Sequence, residues 1–522
     1  MGLYGNVEDS LIAHHSFASH LPKRLDWLVS EYCDSAPWKI VHGRRGGEGA
    51  AEEKGSVKHM PGLELARYNA ADCLLTNLCW ARMAGNAEEE WAVYQEDKQL
   101  AFMCAEMSSS GIGVDLSRKI QLSREMRTRA LELKVSMRRL LRWGQFQPSR
   151  LPHVREALFE RLGAKKLGQT PGGMPSTDNS TLERYKSDDT EVGKFATLLL
   201  DWRAIVKVRS TYVGSDDWVD RPLKFDAVMA FGRAPRAHFA WKPFGTVSGR
   251  LSCRLQSCPR YKPGVLDQRV REIYVPRLGH TFVYFDVSQA EMRIAAYLSG
   301  DENFIASAKS SDMHLGNARN LFPDIAARGW FEGDAVKDPA RGKPFRDISK
   351  NFGFAICYLA EAEAVHANLV RNGFTHVRFQ LVQVWLARLR AQYKRYFQYV
   401  EANVNRVKEC GFMRVPVGPG GVISDKGRLR WFGHWPKATE VGNTPVQGSL
   451  AAIMNARTLE LRARGLSPVS QIHDACIYEV PNRKVGVVKR MIADAWAPEV
   501  DMPGGKMKLP IELKSGERWS DL

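Results

Sequence analysis

Two aspartates of this chain stand where carboxylates can do chemistry. Asp286 ends the apolar and aromatic run TFVYFDV (281–287) and precedes Ser288-Gln289-Ala290-Glu291-Met292-Arg293. That pattern predicts a buried strand carrying an acid to its end, where a helix begins. Asp474 lies beside His473 inside a second β-prone run, VSQIHDACIYEV (469–480). An acid in such a strand is costly unless it is paired or binds a cation. Two strands of one sheet would put both carboxylates side by side, and like charges at that distance need a divalent metal. Mg²⁺ prefers a few carboxylates plus phosphate oxygens. A lone strand-end aspartate is more often a cap or turn residue, so the pair takes its meaning from its surroundings.

Those surroundings are PFRDISKNFGFAICYL (344–359). Arg346, Lys350, Phe354 and Tyr358 recur every four residues, on one slowly rotating helical stripe. The stripe is cationic at its start and aromatic at its end. Pro344 suits a helix start, and the positive end of the helix adds to the two cations. A triphosphate could lie along the first half, with sugar and base meeting Phe354 and Tyr358. Read alone, the stripe fits an amphipathic core helix with two cations at its rim better.

The elements that must hold these residues extend over 522 residues, enough for several domains. Helical patterning covers 63–82, 116–142, 193–212, 288–299, 345–366, 378–410 and 446–464, with short β-prone runs from about 222 onward. This mixture indicates an α+β multidomain protein. The glycine- and charge-rich stretch 43–56 is expected to be a loop. A net charge of +17 suits polyanionic partners. Nine scattered cysteines form no metal or disulfide pattern. No apolar run reaches the roughly 18 residues of a membrane helix, and the first residues lack a secretory layout. A cytoplasmic protein with no membrane partner is expected.

Taken together, the motifs resemble DNA polymerase family A, the bacterial DNA polymerase I type. DVSQAEMR resembles its motif A, RDISKNFGFAICY its motif B and QIHDA its motif C, in the family's order and separations. TVSGRLSCRLQ (246–256), NTPVQGS (443–449), Asp312-Met313-His314 and the ending IELKSGERW (511–519) are similar too. The resemblance runs from about residue 90 to the end. It implies a right-hand fold with a thumb at 86–215, a palm at 216–294 and 440–522, and fingers at 295–439. It implies template-directed addition of dNTPs to a primer on a primer-template, with two Mg²⁺ ions, replaceable by Mn²⁺, held by Asp286, Asp474 and the Val287 backbone. Arg346, Lys350 and His314 would meet the phosphates. Gln289, Glu291, Phe354 and Tyr358 would meet the sugar and base, with Glu291 excluding a 2′-hydroxyl. Lys207, Arg209, Ser210, Arg250, Gln256, Asn443, Gln447 and His473 would contact DNA.

The chain departs from the family at Ala475, where a glutamate is usual, at Ala355 and Leu359, where a glycine is usual, and at Thr439, where an arginine is usual. The departures imply a missing third carboxylate, a stiffer helix end and a weaker template contact. Residues 1–85 resemble the tail of a 3′→5′ exonuclease domain, with Tyr68 and Asp72 as its last motif and no counterpart of the earlier carboxylates. Proofreading is therefore not expected of this chain alone. A separately encoded half-domain, a processivity factor and a phage-like origin are the matching expectations. A non-catalytic nucleic-acid-binding subunit and a single-subunit RNA polymerase are the rival readings. Intact Asp286, Asp474, Lys350 and Arg346 count against the first, and Gln289 with Glu291 against the second.

Overall fold

The computed structural model describes residues 8–522 apart from 20, 23, 34–60, 86–89, 171, 187–189, 215–234, 244, 311, 358 and 434–435, and apart from the side chains of Phe354 and Cys357. Its central sheet has four antiparallel strands, β1 (His280–Val287), β2 (Ser470–Ile472), β3 (Ala475–Pro481) and β4 (Ile511–Gly516), in the order β4-β1-β3-β2. Both faces of β1 are covered, which is why its sequence reads as a continuous apolar run. Val283, Phe285 and Val287 enter one core together with Cys476 and Tyr478 of β3. Phe282 and Ile477 enter a second core with Leu122, Met126 and Tyr212.

The expected strand over 469–480 is instead a hairpin. Ile472 pairs with Ala475, so His473 and Asp474 are its two-residue connection. His473 takes the positive φ of 55° that such a tight turn requires.

Helices surround the sheet in groups. At the N-terminal end α1 (Ser10–Phe17), α2 (Leu25–Tyr32) and α3 (Gly62–Gly85) share a small core built on Ile12, Leu28, Cys79 and Tyr94. Tyr94 belongs to α4 (Trp91–Ser110), which also carries Leu100 and Met103 into the second core of the sheet. Then α5 (Leu116–Leu140) and α6 (Glu191–Val208) form an arm whose outer end is packed by Met137, Phe146, Phe195 and Leu199. After β1 come α7 (Ala290–Ser299), α8 (Met313–Leu321) and α9 (Gly342–Cys357), followed by α10 (Ala362–Arg371), α11 (Phe379–Gln392) and α12 (Lys394–Cys410). The long α13 (Ala438–Ala463) returns the chain to the sheet.

Two predicted helices are shorter than their periodicity suggests. The 378–410 pattern divides at Tyr393, whose ψ of 44° is not helical. The 345–366 pattern divides after Cys357. Leu359 adopts φ 49°, Ala360 N–H reaches back to Ala355 O at 2.9 Å, and Leu359 N–H reaches Ile356 O at 3.1 Å. This is the helix stop that usually takes glycine at its left-handed position. Leucine there costs about 1 kcal/mol or more of backbone strain. Its side chain fits against bare Gly442 of α13, where a Cβ would sit 2.6 Å from Leu359 Cδ1. The packing offsets the strain and joins the end of α9 to α13.

Candidate active site

Pairing across β1 and β3 brings the two aspartates together. Asp286 is opposite Ala475, the neighbour of Asp474, and Val287 N–H donates to Asp474 O at 3.1 Å. By strand alternation Asp286 shares a face with Tyr284, whose hydroxyl donates to Asp286 Oδ2 at 2.7 Å. Burial raises the Asp474 carboxyl to about 6, and the neighbouring Asp286 charge adds to the rise. Asp286 is raised as well, first by burial, while the Tyr284 hydrogen bond opposes the shift and Glu512 adds to it. The two acids resist ionising together. That is the electrostatic condition a divalent cation relieves.

Asp286, Asp474 and Val287 line one cavity of about 420 Å³ with Gln289 and Glu291. Gln289 precedes α7 in the left-handed conformation, φ 53° and ψ 37°, and this sharp turn keeps the first residues of α7 beside the strand end. Glu291 lies in the first turn of α7, where the helix dipole favours an anion. Its carboxylate accepts a hydrogen bond from Arg250 Nη2 at 2.6 Å. Arg250 and His473 line the cavity from another side, and His314 and Lys350 from α8 and α9 complete it. Lys350 is exposed and has no ion-pair partner among the described residues. His314 is held to about 4, chiefly by burial and further by the Lys350 and Arg346 charges, so it is neutral near pH 7. Ser349 Oγ fixes its backbone by donating to His314 O at 2.5 Å.

Arg346, Gln256, Lys207, Arg209, Ser210, Asn443 and Gln447 are not among the residues that line this cavity. Arg346 points to Asp312, with Nε to Oδ2 at 2.7 Å, and Asp312 also caps α8. Phe354 lies on α9 with its side chain outside the described residues, and Tyr358 is outside them altogether. Gln256 spends its amide internally, donating to Leu251 O at 3.0 Å and to Gln471 O at 3.1 Å; it ties its segment to the hairpin that carries Asp474. Lys207 and Ser210 are exposed at the end of α6, whereas Arg209 Nε donates to Ser123 O at 3.2 Å. Asn443 and Gln447 are half-buried on α13.

Sequence reasoning missed three participants. Tyr284 could have been found by alternation, two residues before Asp286. Asp312 needed the fold to meet Arg346. Glu512 lies directly across from Asp286 on β4 and is joined to Lys514 at 3.2 Å; only the strand register exposes it. Among the described residues no group of three or more His, Cys, Asp or Glu side chains forms a metal cage. Asp286 and Asp474 are hard oxygen donors of the kind Mg²⁺ prefers, and they would hold it together with phosphate oxygens and water.

Two aspartates at adjoining strand ends share one cavity with Lys350 and His314 on an α+β scaffold. The sequence pattern of DNA polymerase family A matches residues 117–521, and the chain belongs to that family. It is 25% identical over 463 residues to the thermostable DNA polymerase I of Thermus aquaticus, covering 87% of this chain and 51% of that one. It is likewise 25% identical over 496 residues to DNA polymerase I of Chloroflexus aurantiacus, covering 91% and 48%. The chain thus spans about half the length of the curated relatives it matches. In fold it is similar to the POL domain of Pol1 from M. smegmatis, solved in complex with DNA primer-template and dNTP, at a TM-score of 0.71 and 18% identity over 98% of this chain and 82% of that one.

Proposed function

We propose that the protein is a template-directed DNA polymerase that adds deoxynucleotides to a primer 3′-hydroxyl and releases pyrophosphate. The observation that carries this reading is the joining of Asp286 and Asp474, from separate chain segments, in one cavity with Lys350 and His314. Family membership supports it.

In this reading Asp286, Asp474 and the Val287 carbonyl hold two Mg²⁺ ions, or Mn²⁺ in their place. When bound, these ions supply Lewis acidity toward the primer hydroxyl and the departing pyrophosphate. The chain's own groups do the rest. Lys350 neutralises the phosphates and is the proton donor to pyrophosphate. Arg346 exchanges Asp312 for a phosphate oxygen, and neutral His314 donates a hydrogen bond to the same group. Gln289 and Glu291 bound the sugar, with Phe354 and Tyr358 beside it. Arg250, Gln256, Asn443, Gln447 and His473 face the primer-template near its end, and Lys207, Arg209 and Ser210 belong to the arm that grips the duplex.

The right-hand division follows: thumb 86–215, palm 216–294 with 440–522, fingers 295–439. Residues 1–85, with Tyr68 and Asp72, are an exonuclease-like segment. Primer-template DNA and dNTPs are its partners, with a separate exonuclease half-domain or a processivity factor as further ones. No helix of the described residues is long and apolar enough to cross a membrane, and such an enzyme works in the cytoplasm with its template.

The test is extension of a labelled primer-template with Mg²⁺ and either dNTPs or NTPs. Extension by dNTPs alone is expected. No extension with either would remove the catalytic reading, and equal use of NTPs would favour an RNA polymerase.

A further inference from the structure

Behind the nucleotide cavity lies an ion pair that takes no part in the chemistry described so far. Asp97 of α4 is 1% exposed and Arg428 is 7% exposed. Arg428 Nη2 donates to Asp97 Oδ1 at 2.5 Å, and Ser16 Oγ of α1 donates to Asp97 Oδ2 at 2.7 Å. Burying two charges costs several kcal/mol per ion before they attract each other, so such a pair is a poor way to add stability. Its position suggests a different role.

The guanidinium lies against the turn Thr246–Arg250. Gly249 has φ 80°, and a Cβ there would sit 2.7 Å from Arg428 Nε. The turn needs glycine twice, once for its left-handed backbone and once for the approach of the guanidinium. Asn455 of α13 holds the same residue from another direction, donating from Nδ2 to Gly249 O at 3.2 Å. Thr246 Oγ1 closes the turn on Arg250 O at 2.9 Å. The N-terminal helices reach the turn a second time, where Ser19 Oγ donates to Val247 O at 3.4 Å. The next residue along is Arg250, whose guanidinium holds Glu291 inside the cavity.

We propose that Ser16, Asp97 and Arg428 form a brace that fixes the Gly249 turn and so aims Arg250 into the nucleotide cavity. The segment before α4, which resembles a relic of another activity, thereby serves polymerisation. Arg428 and Asp97 are positioning residues, since neither lines the cavity itself. A polar brace suits this task better than an apolar contact, because a bidentate-capable guanidinium fixes both distance and orientation. The inference rests on the polymerase reading, and wild-type primer extension tests that reading separately.

The experiment uses the full chain in single-nucleotide primer extension, comparing wild type with Ser16→Ala, the paired replacement Asp97→Asn with Arg428→Met, and Arg250→Ala, alone and combined. Removing both charges together avoids stranding one of them. The brace variants are expected to bind primer-template within about twofold of wild type, because phosphate contacts elsewhere dominate binding. Their kcat/KM for the next dNTP is expected to fall about tenfold or more for the paired replacement and less for Ser16→Ala, since small misplacements near reacting groups are costly. Combining either with Arg250→Ala should add no further loss, and Arg428→Lys should restore part of the activity. A purely structural pair would lower the melting temperature and give losses that add to that of Arg250→Ala, and that outcome overturns the proposal. If the paired replacement does not fold, Ser16→Ala decides by the same non-additivity. An inactive wild type would sink the polymerase reading, whereas an active wild type with additive variants would sink only the brace.

Discussion

The chain carries motif-like aspartates in two regions that treat the same side chain differently. In the sheet, Asp286 and Asp474 sit at adjoining strand ends, joined by Val287 N–H to Asp474 O; burial raises both carboxyls, and the Asp286 charge raises Asp474 further. In the N-terminal segment Asp72 lies half-buried on α3. The groups near it are Tyr68, whose phenol is raised first by burial and then by the Asp72 and Asp26 charges, and Asp26 itself, which is ion-paired to Arg24. A strand end fixes its carboxylate from both sides through the ladder, and a neighbouring strand can supply a second one. A helix face has no ladder to fix a second carboxylate beside the first. The first arrangement stores electrostatic stress that a cation relieves.

The most damaging change to the first region is loss of either carboxylate. Asp286→Ala or Asp474→Ala should reduce primer extension by at least about a thousandfold, with primer-template binding largely retained. Gel-based extension and a binding titration together check this, and robust extension by either variant removes the assignment.

The next effect concerns stability. With the Asp474 carboxyl raised from 3.8 to about 6, the fold takes up a proton in that window. Stability of the metal-free protein then falls as pH rises through the window, by on the order of 3 kcal/mol above it. Asp474→Asn should therefore raise the metal-free melting temperature at pH 8. Added Mg²⁺ should raise that of the wild type at pH 8 but not at pH 5. A wild-type melting temperature indifferent to Mg²⁺ at both pH values would contradict the coupled pair.

How much of this contrast is legible without coordinates depends on the residue. The strand around Asp286 reads directly from TFVYFDV, because burial on both faces leaves a continuous apolar run. Asp474 was expected within a strand, yet it lies in a turn, since a two-residue connection with a left-handed histidine leaves no glycine to mark it. The break after α9 was hidden for the same reason: Leu359 occupies a position that glycine normally signals. The Lys350 stripe was visible in its four-residue spacing, but the diversion of Arg346 to Asp312 depends on how α8 packs beside α9.

A smaller effect sharpens the first region from its aromatic side. In the proposed reading Phe354 lies beside the sugar's 3′ position and offers only carbon where a tyrosine would offer a hydroxyl. A hydrogen bond to a charged oxygen contributes roughly 1.5–3 kcal/mol, on the order of ten- to a hundredfold in selectivity. Phe354→Tyr should raise the ddNTP/dNTP incorporation ratio by that amount, and a ratio within about twofold of wild type would mean the ring does not face the sugar. The smallest effect belongs to the second region. Asp72→Ala should leave extension unchanged and abolish nothing, because no Mg²⁺-dependent removal of a mismatched 3′ end is expected from this chain. Degradation of such an end that disappears in Asp72→Ala would make the two regions equivalent after all.

The central claim, that Asp286 and Asp474 jointly hold two divalent ions, is open to direct counting. Mn²⁺ bound to the complex with a dideoxy-terminated primer-template and the correct dNTP can be titrated by electron paramagnetic resonance. The wild type is expected to hold two ions per complex, the ion carried by the dNTP counted as one of them and those bound to DNA alone subtracted, and Asp286→Asn and Asp474→Asn to hold at most one each. Equal Mn²⁺ stoichiometry and affinity in all three proteins would contradict the claim.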